Sequence, residues 1–106
     1  MFTAQVLADG QLSDTQGAIY TVPFGVTAYV KQLLLFNTSA SPQTIEIAIN
    51  ASGTPRKWRR LVLNENESAT VLEHGEALQL SNGQSIEAVS TDGAAVDYTI
   101  MGVTET

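Results

Sequence analysis

The sequence predicts an all-β protein: a single antiparallel β-sandwich of about eight strands, jelly-roll-like, with an immunoglobulin-like sandwich as the alternative. Three observations predict it. Short runs of β-branched, aromatic and alternating apolar residues recur along the chain, with turn residues about every eight to twelve positions. The eight glycines fall singly near the ends of these runs. No stretch carries convincing helical periodicity, and the one competitor, residues 68–80, is interrupted by Gly75, which costs a helix interior about 1 kcal/mol.

Each element has its own justification. Residues 2–7 alternate Phe2, Ala4, Val6 against Thr3, Gln5, Leu7 and predict a first, edge-type strand. Ala8-Asp9-Gly10 reads as a turn, and residues 11–17 as a polar connection. Residues 18–22 predict a second strand that ends at Pro23 and Gly25. Proline removes a ladder donor there, and glycine permits positive φ. Residues 26–37 are long and apolar on both faces, the signature of a strand central to a packed sheet, and Asn37-Thr38-Ser39 with Pro42 closes it.

Residues 43–50 alternate most cleanly, with Ile45, Ile47 and Ile49 on the buried face. Residues 56–63 begin charged and end apolar, and strict alternation places Trp58, Arg60 and Val62 opposite Lys57, Arg59, Leu61 and Leu63. After the turn at residues 64–67, residues 68–72 continue the chain, Glu73-His74-Gly75-Glu76 turns it, and residues 77–80 form a short apolar stretch. Asn82-Gly83 marks a tight hairpin into residues 85–90, and Asp92-Gly93 leads to the last strand, residues 95–103.

The 106 residues predict one domain spanning 1–106, large enough for a core without staples. The absence of cysteine excludes disulfides and thiolate chemistry. The N-terminus lacks the basic and apolar regions of a signal peptide, and the longest apolar run, residues 33–36, is too short to span a membrane. The expectation is a soluble protein made in the cytoplasm. Three Asn-x-Ser/Thr triplets, at Asn37, Asn50 and Asn66, then read as turn and strand-end residues. A formal charge of −6 argues against nucleic-acid partners. Four of the five basic residues nevertheless lie within Arg56-Lys57-Trp58-Arg59-Arg60.

No catalytic constellation emerges. His74 is the single histidine, and its place in a turn reads as a surface residue. Ser85 and Asp92 lack any nucleophile-positioning motif. The carboxylate pairs Glu65/Glu67 and Glu73/Glu76 read as solvated turn residues rather than calcium ligands. No cofactor or metal site is expected.

Two features carry the interaction hypotheses. The Arg56–Arg60 cluster around Trp58 reads either as a docking spot for an acidic partner or as a strand end whose arginines snorkel over apolar surface and pair with Glu46, Glu65 or Glu67. Leu33, Leu35 and Phe36 lie on a strand with one apolar face more than a sandwich needs. That second face is covered either by a loop or by a neighbouring subunit, and a subunit would make the protein an oligomer.

The order Tyr20-Thr21-Val22-Pro23-x-Gly25, Thr27-Ala28-x-Val30-Lys31, a hydrophobic run closing on Asn37-Thr38-Ser39, then an Ile86 strand and a terminal Tyr98 to Glu105 resembles small virion proteins of tailed bacteriophages. Such proteins are similar to one another as compact β-sandwiches and serve as capsid decoration (cement) proteins or accessory head and tail components. The resemblance covers nearly the whole chain through structural motifs. It implies a non-enzymatic virion protein on the capsid exterior, commonly trimeric, docked on the major capsid protein and reinforcing it against internal pressure. It places Leu33, Leu35 and Phe36 at the subunit interface, and residues 1–6 or Arg56–Arg60 at the capsid contact. Unlike members that bind through an extended arm, this chain has no long segment before its first strand. A neck, tail or baseplate protein is one alternative. A carbohydrate-binding module using Trp58 with Tyr20 or Tyr29 is another.

Overall fold

The computed structural model describes residues 2–72 and 78–106, with side chains from Gln5 onward. Among the described residues there is no helix. The strands are β1 (Phe2–Gln11), β2 (Gly17–Thr21), β3 (Thr27–Asn37), β4 (Gln43–Asn50), β5 (Arg56–Leu63), β6 (Ser68–Thr70), β7 (Leu78–Ser81), β8 (Ser85–Ser90) and β9 (Val96–Glu105). They form two antiparallel sheets packed face to face. One has the order β1-β9-β3-β6, with β7 also on β3, and the other the order β2-β8-β4-β5.

The connectivity is that of a long hairpin rolled on itself. Its tip is the loop between β4 and β5, and β3 pairs with β6 and β7, β2 with β8, and β1 with β9. Successive pairs fall alternately in the two sheets, which defines a jelly roll. β6 and β7 share the work of one strand, pairing with Leu34–Phe36 and Thr27–Val30 respectively.

The core follows from the alternation. Ile45 and Ile47 from β4, Ile86 and Ala88 from β8, Ile100 and Val96 from β9, and Val30, Leu33 and Leu35 from β3 are all buried between the sheets. β3 is flanked on both sides, as its apolar sequence predicts. Its inward residues are even-numbered up to Val30 and odd-numbered from Leu33. The switch is a β-bulge: Val30 pairs with Gly102 and Gln32 with Met101, which leaves Lys31 as the extra residue.

The expected turn at Ala8-Asp9-Gly10 is instead a continuation of β1, which bulges at Leu7 and pairs through Gln11 with Asp97. Gly10 serves close packing there, since a Cβ would come within 3.2 Å of the Tyr98 hydroxyl. The helical competitor is replaced by the short strands β6 and β7. The turn predicted at residues 73–76 lies outside the described residues.

Both ends of the sandwich are tied. At one end Asn37 is fully buried, and its Nδ2 donates to the carbonyls of Ser41, Leu63 and Asn64 (2.8, 3.0 and 3.2 Å) while its Oδ1 accepts from the backbone N–H and hydroxyl of Ser39. Buried Gln43 donates to Asp92 Oδ2 and accepts from the Asp92 N–H, both at 2.9 Å. At the other end, residues 22–26 lie against the Asn82-Gly83 turn. Gly83 N donates to Val22 O, and Gly25 N to Asn82 Oδ1.

Candidate functional site

β5 carries the basic cluster along the edge of the β2-β8-β4-β5 sheet, where charged side chains also discourage edge-to-edge pairing. A bulge divides the cluster. Ile47 pairs with Arg59 and Ala48 with Lys57, so Trp58 is the extra residue. Strict alternation is therefore lost at Trp58, and the two faces expected from the sequence are corrected accordingly. Leu61 and Leu63 turn inward. Trp58 packs half-buried against the core, and Lys57, Arg60 and Val62 share the outer face with Glu46.

The charges have different surroundings. Lys57 Nζ meets Glu46 Oε2 at 2.9 Å, and this bond, with the charges of Lys57 and Arg60, holds the Glu46 carboxyl below the usual carboxylate range. The Arg59 guanidinium lies 4.4 Å from the Trp58 ring centroid and donates to the Trp58 carbonyl, a cation–π stack on the strand edge. Arg56 and Arg60 are exposed. Elsewhere Glu87 is held low by hydrogen bonds from Gln16 and Asn50, and Tyr20 and Tyr98 are pushed up by burial.

The three residues expected at a subunit surface are not together. Leu33 and Leu35 are 0% and 2% exposed, committed to the core after the Lys31 bulge, whereas Phe36 points outward at 41%. Beyond the bulge, the outward face of β3 carries Leu34 and Phe36. With Ser68, Thr70, Asp97 and Thr99 they line an open groove of about 350 Å³ on the outer side of the β1-β9-β3-β6 sheet.

The aromatic platform is not assembled either. Tyr20 on β2 and Trp58 on β5 occupy opposite edges of one sheet, and Tyr29 lies on the other sheet. Ser85 and Asp92 flank opposite ends of β8 and make no pair. Among the described residues no group of three or more His, Asp or Glu could hold a metal; His74 lies outside them.

Three exposed apolar side chains escaped sequence reasoning. Val62 (51%) sits two residues from Arg60 on the outer face of β5. Val6 (55%) lies on β1, and Phe24 (84%) tops the corner between β2 and β3, its ring against Gly83. The signal for Phe24 was legible, because a side chain between a turn proline and a turn glycine has no sheet to face.

No family model and no curated protein matches the chain. Among solved structures, a chain of Bacillus endospore appendages, described as a novel family of disulfide-linked pili, is similar with a TM-score of 0.58. It is 17% identical, over 99% of this chain and 88% of that one. A chain from the structure of infectious bursal disease virus Gt strain aligns over 98% of this chain but 32% of its own, at 12% identity and a TM-score of 0.36. The first likeness is one of fold; the second is too loose to carry an argument.

Proposed function

We propose that this chain is a structural assembly protein, a single sandwich domain over residues 1–106, and specifically a capsid decoration protein of a tailed bacteriophage. It binds the outer capsid lattice as a homo-oligomer, with a trimer favoured, and works by docking rather than catalysis. The observation that carries the reading is the pairing of a tied jelly roll with exposed, chemically distinct flanks: a basic strand on one side and an apolar groove on the other. The bacteriophage assignment is supported by the sequence resemblance. Within it, Arg56, Lys57 and Arg59, the last stacked on Trp58, supply the contact to the major capsid protein.

Quantitative mass spectrometry of purified virions tests the reading. Copies in simple ratio to the major capsid protein are expected. A handful of copies moves the protein to the neck or tail, and absence overturns the virion assignment.

A second reading is favoured by the fold likeness to an endospore appendage chain: a self-polymerising, pilus-like subunit. With no cysteine, such a polymer of this chain would be held without disulfides, and boiling in detergent without reductant should release only monomer.

A further inference from the structure

We propose that the outer face of β5 in one copy, through Val62 and Arg60, seats in the Leu34–Phe36 groove of the next copy, so that the basic strand and the groove are two halves of one heterologous self-contact. The inference rests only on the self-association part of the reading above and serves a decoration oligomer and a polymer equally.

Three observations converge. The first is chemical match. The groove has an apolar floor, Leu34 and Phe36, and its rim carries the Asp97 carboxylate. Asp9 stands beside it, since it pairs with Thr99 on the adjoining strand. β5 offers the inverse, an exposed valine two residues from an arginine, on the strand that holds four of the chain's five basic residues. On a protein of net charge −6, this strand carries the concentrated positive charge that draws it toward an acidic rim, with Glu46, opposite Arg60, the carboxylate on the same face.

The second is level. Asn37 Nδ2 donates to Leu63 O at 3.0 Å across the end of the sandwich, so Phe36 and Val62, their immediate neighbours, stand at the same height along the strands. Leu34 and Arg60 follow two residues further along each strand. Rotation about an axis parallel to the strands carries one copy onto the next without changing height. Two complementary patches at one level are what such a rotation requires.

The third is position. β5 and β6 end their respective sheets, with β4 beside β5 and β3 beside β6. The patches therefore flank the same edge of the sandwich on its two outer sides, and the contact is between different surfaces rather than isologous. It closes into a ring or, failing closure, runs on as a filament.

Sedimentation velocity of the purified chain in low salt, over a concentration series, tests the contact. The wild type is expected to exceed the 11.3 kDa monomer. Arg60→Glu and Asp97→Arg are each expected to weaken association by about tenfold or more, through like-charge juxtaposition. The double variant, which restores the pair with its signs exchanged, is expected to recover it. Circular dichroism melts confirm that each variant is folded, and Phe36→Ser supplies an uncharged disruption of the groove. A monomeric wild type across the series, or an oligomer indifferent to both charge reversals and to Phe36→Ser, overturns the proposal. Virion copy number is measured independently, so failure here leaves the decoration assignment standing and failure there leaves this contact standing.

Discussion

Gly102 of β9 pairs with Val30 of β3 beside the Lys31 bulge. A Cβ there would collide with the Tyr29 carbonyl oxygen and press on Val30 Cα, both backbone atoms that cannot swing aside. Gly102→Ala is therefore expected to destabilise by about 3 kcal/mol or to prevent folding, read from urea melts. Gly17 is the control: a Cβ there meets nothing within 4 Å, so Gly17→Ala should stay within about 1 kcal/mol of wild type. Asn37 is the polar counterpart. Its amide satisfies three carbonyls at the end of the roll, and Asn37→Ala leaves them in a site that the side chain alone had filled. A loss of about 2–4 kcal/mol is expected in the same melts, larger than that of any exposed Asn-to-Ala change. The sequence flagged Asn37 as a strand terminator. Its role in binding two further segments could not be read locally, because its partners Leu63 and Asn64 are distant in the chain.

At the scale of elements, β4, β5 and β8 have the boundaries that alternation predicts, and β3 is central as its two-faced apolarity requires. Alternation failed at the bulges. A bulge inserts one unpaired residue and exchanges the faces beyond it, and no local residue pattern around Lys31 or Trp58 announces it. The Trp58 bulge explains why alternation divides the basic cluster between the wrong faces, whereas Leu33 and Leu35 alternate regularly with Phe36 beyond the Lys31 bulge and so never share its face. The Glu46–Lys57 pair that the Trp58 bulge brings together has a testable pH signature. Because the Glu46 carboxyl is held low, its contribution is fully present above the unfolded carboxylate value of about 4.3 and is lost as pH falls through its folded value. Both groups are solvated, so the effect is small. Urea midpoints at pH 7 and pH 3 should differ less in Lys57→Met than in wild type; an unchanged difference would show that Lys57 does not tune Glu46.

Across the whole molecule, rolling the hairpin sorts the loops into two ends of opposite character. Loops at residues 12–16, 38–42, 64–67 and 91–95 meet at one end, joined by bonds such as Ser90 N to Ser13 O, Thr38 N to Ala95 O and Asn66 N to Asn37 O. That end gathers Asp14, Glu65, Glu67 and Asp92, with Asp9 and Asp97 on the strands just below: six of the eleven acidic residues and none of the five basic ones. The opposite end, residues 22–26, 51–55 and 82–84, contains no charged residue. Composition gave the net charge but not its segregation, which depends on the roll bringing distant turns together. The acidic end should repel itself within each molecule, at separations comparable to the Debye length. Raising NaCl from about 0.01 M to about 1 M shortens that length from about 30 Å to about 3 Å and should relieve the repulsion. The melting temperature is expected to rise by about 2–5 °C, corresponding to under about 1 kcal/mol for a chain of this size. Non-specific salt effects act on any surface, so the decisive comparison is with Asp14→Asn/Glu65→Gln, which removes two of the clustered charges. Its salt-dependent gain should be visibly smaller than that of wild type. Equal gains in the two proteins would mean that the acidic end, though crowded, stores no appreciable strain.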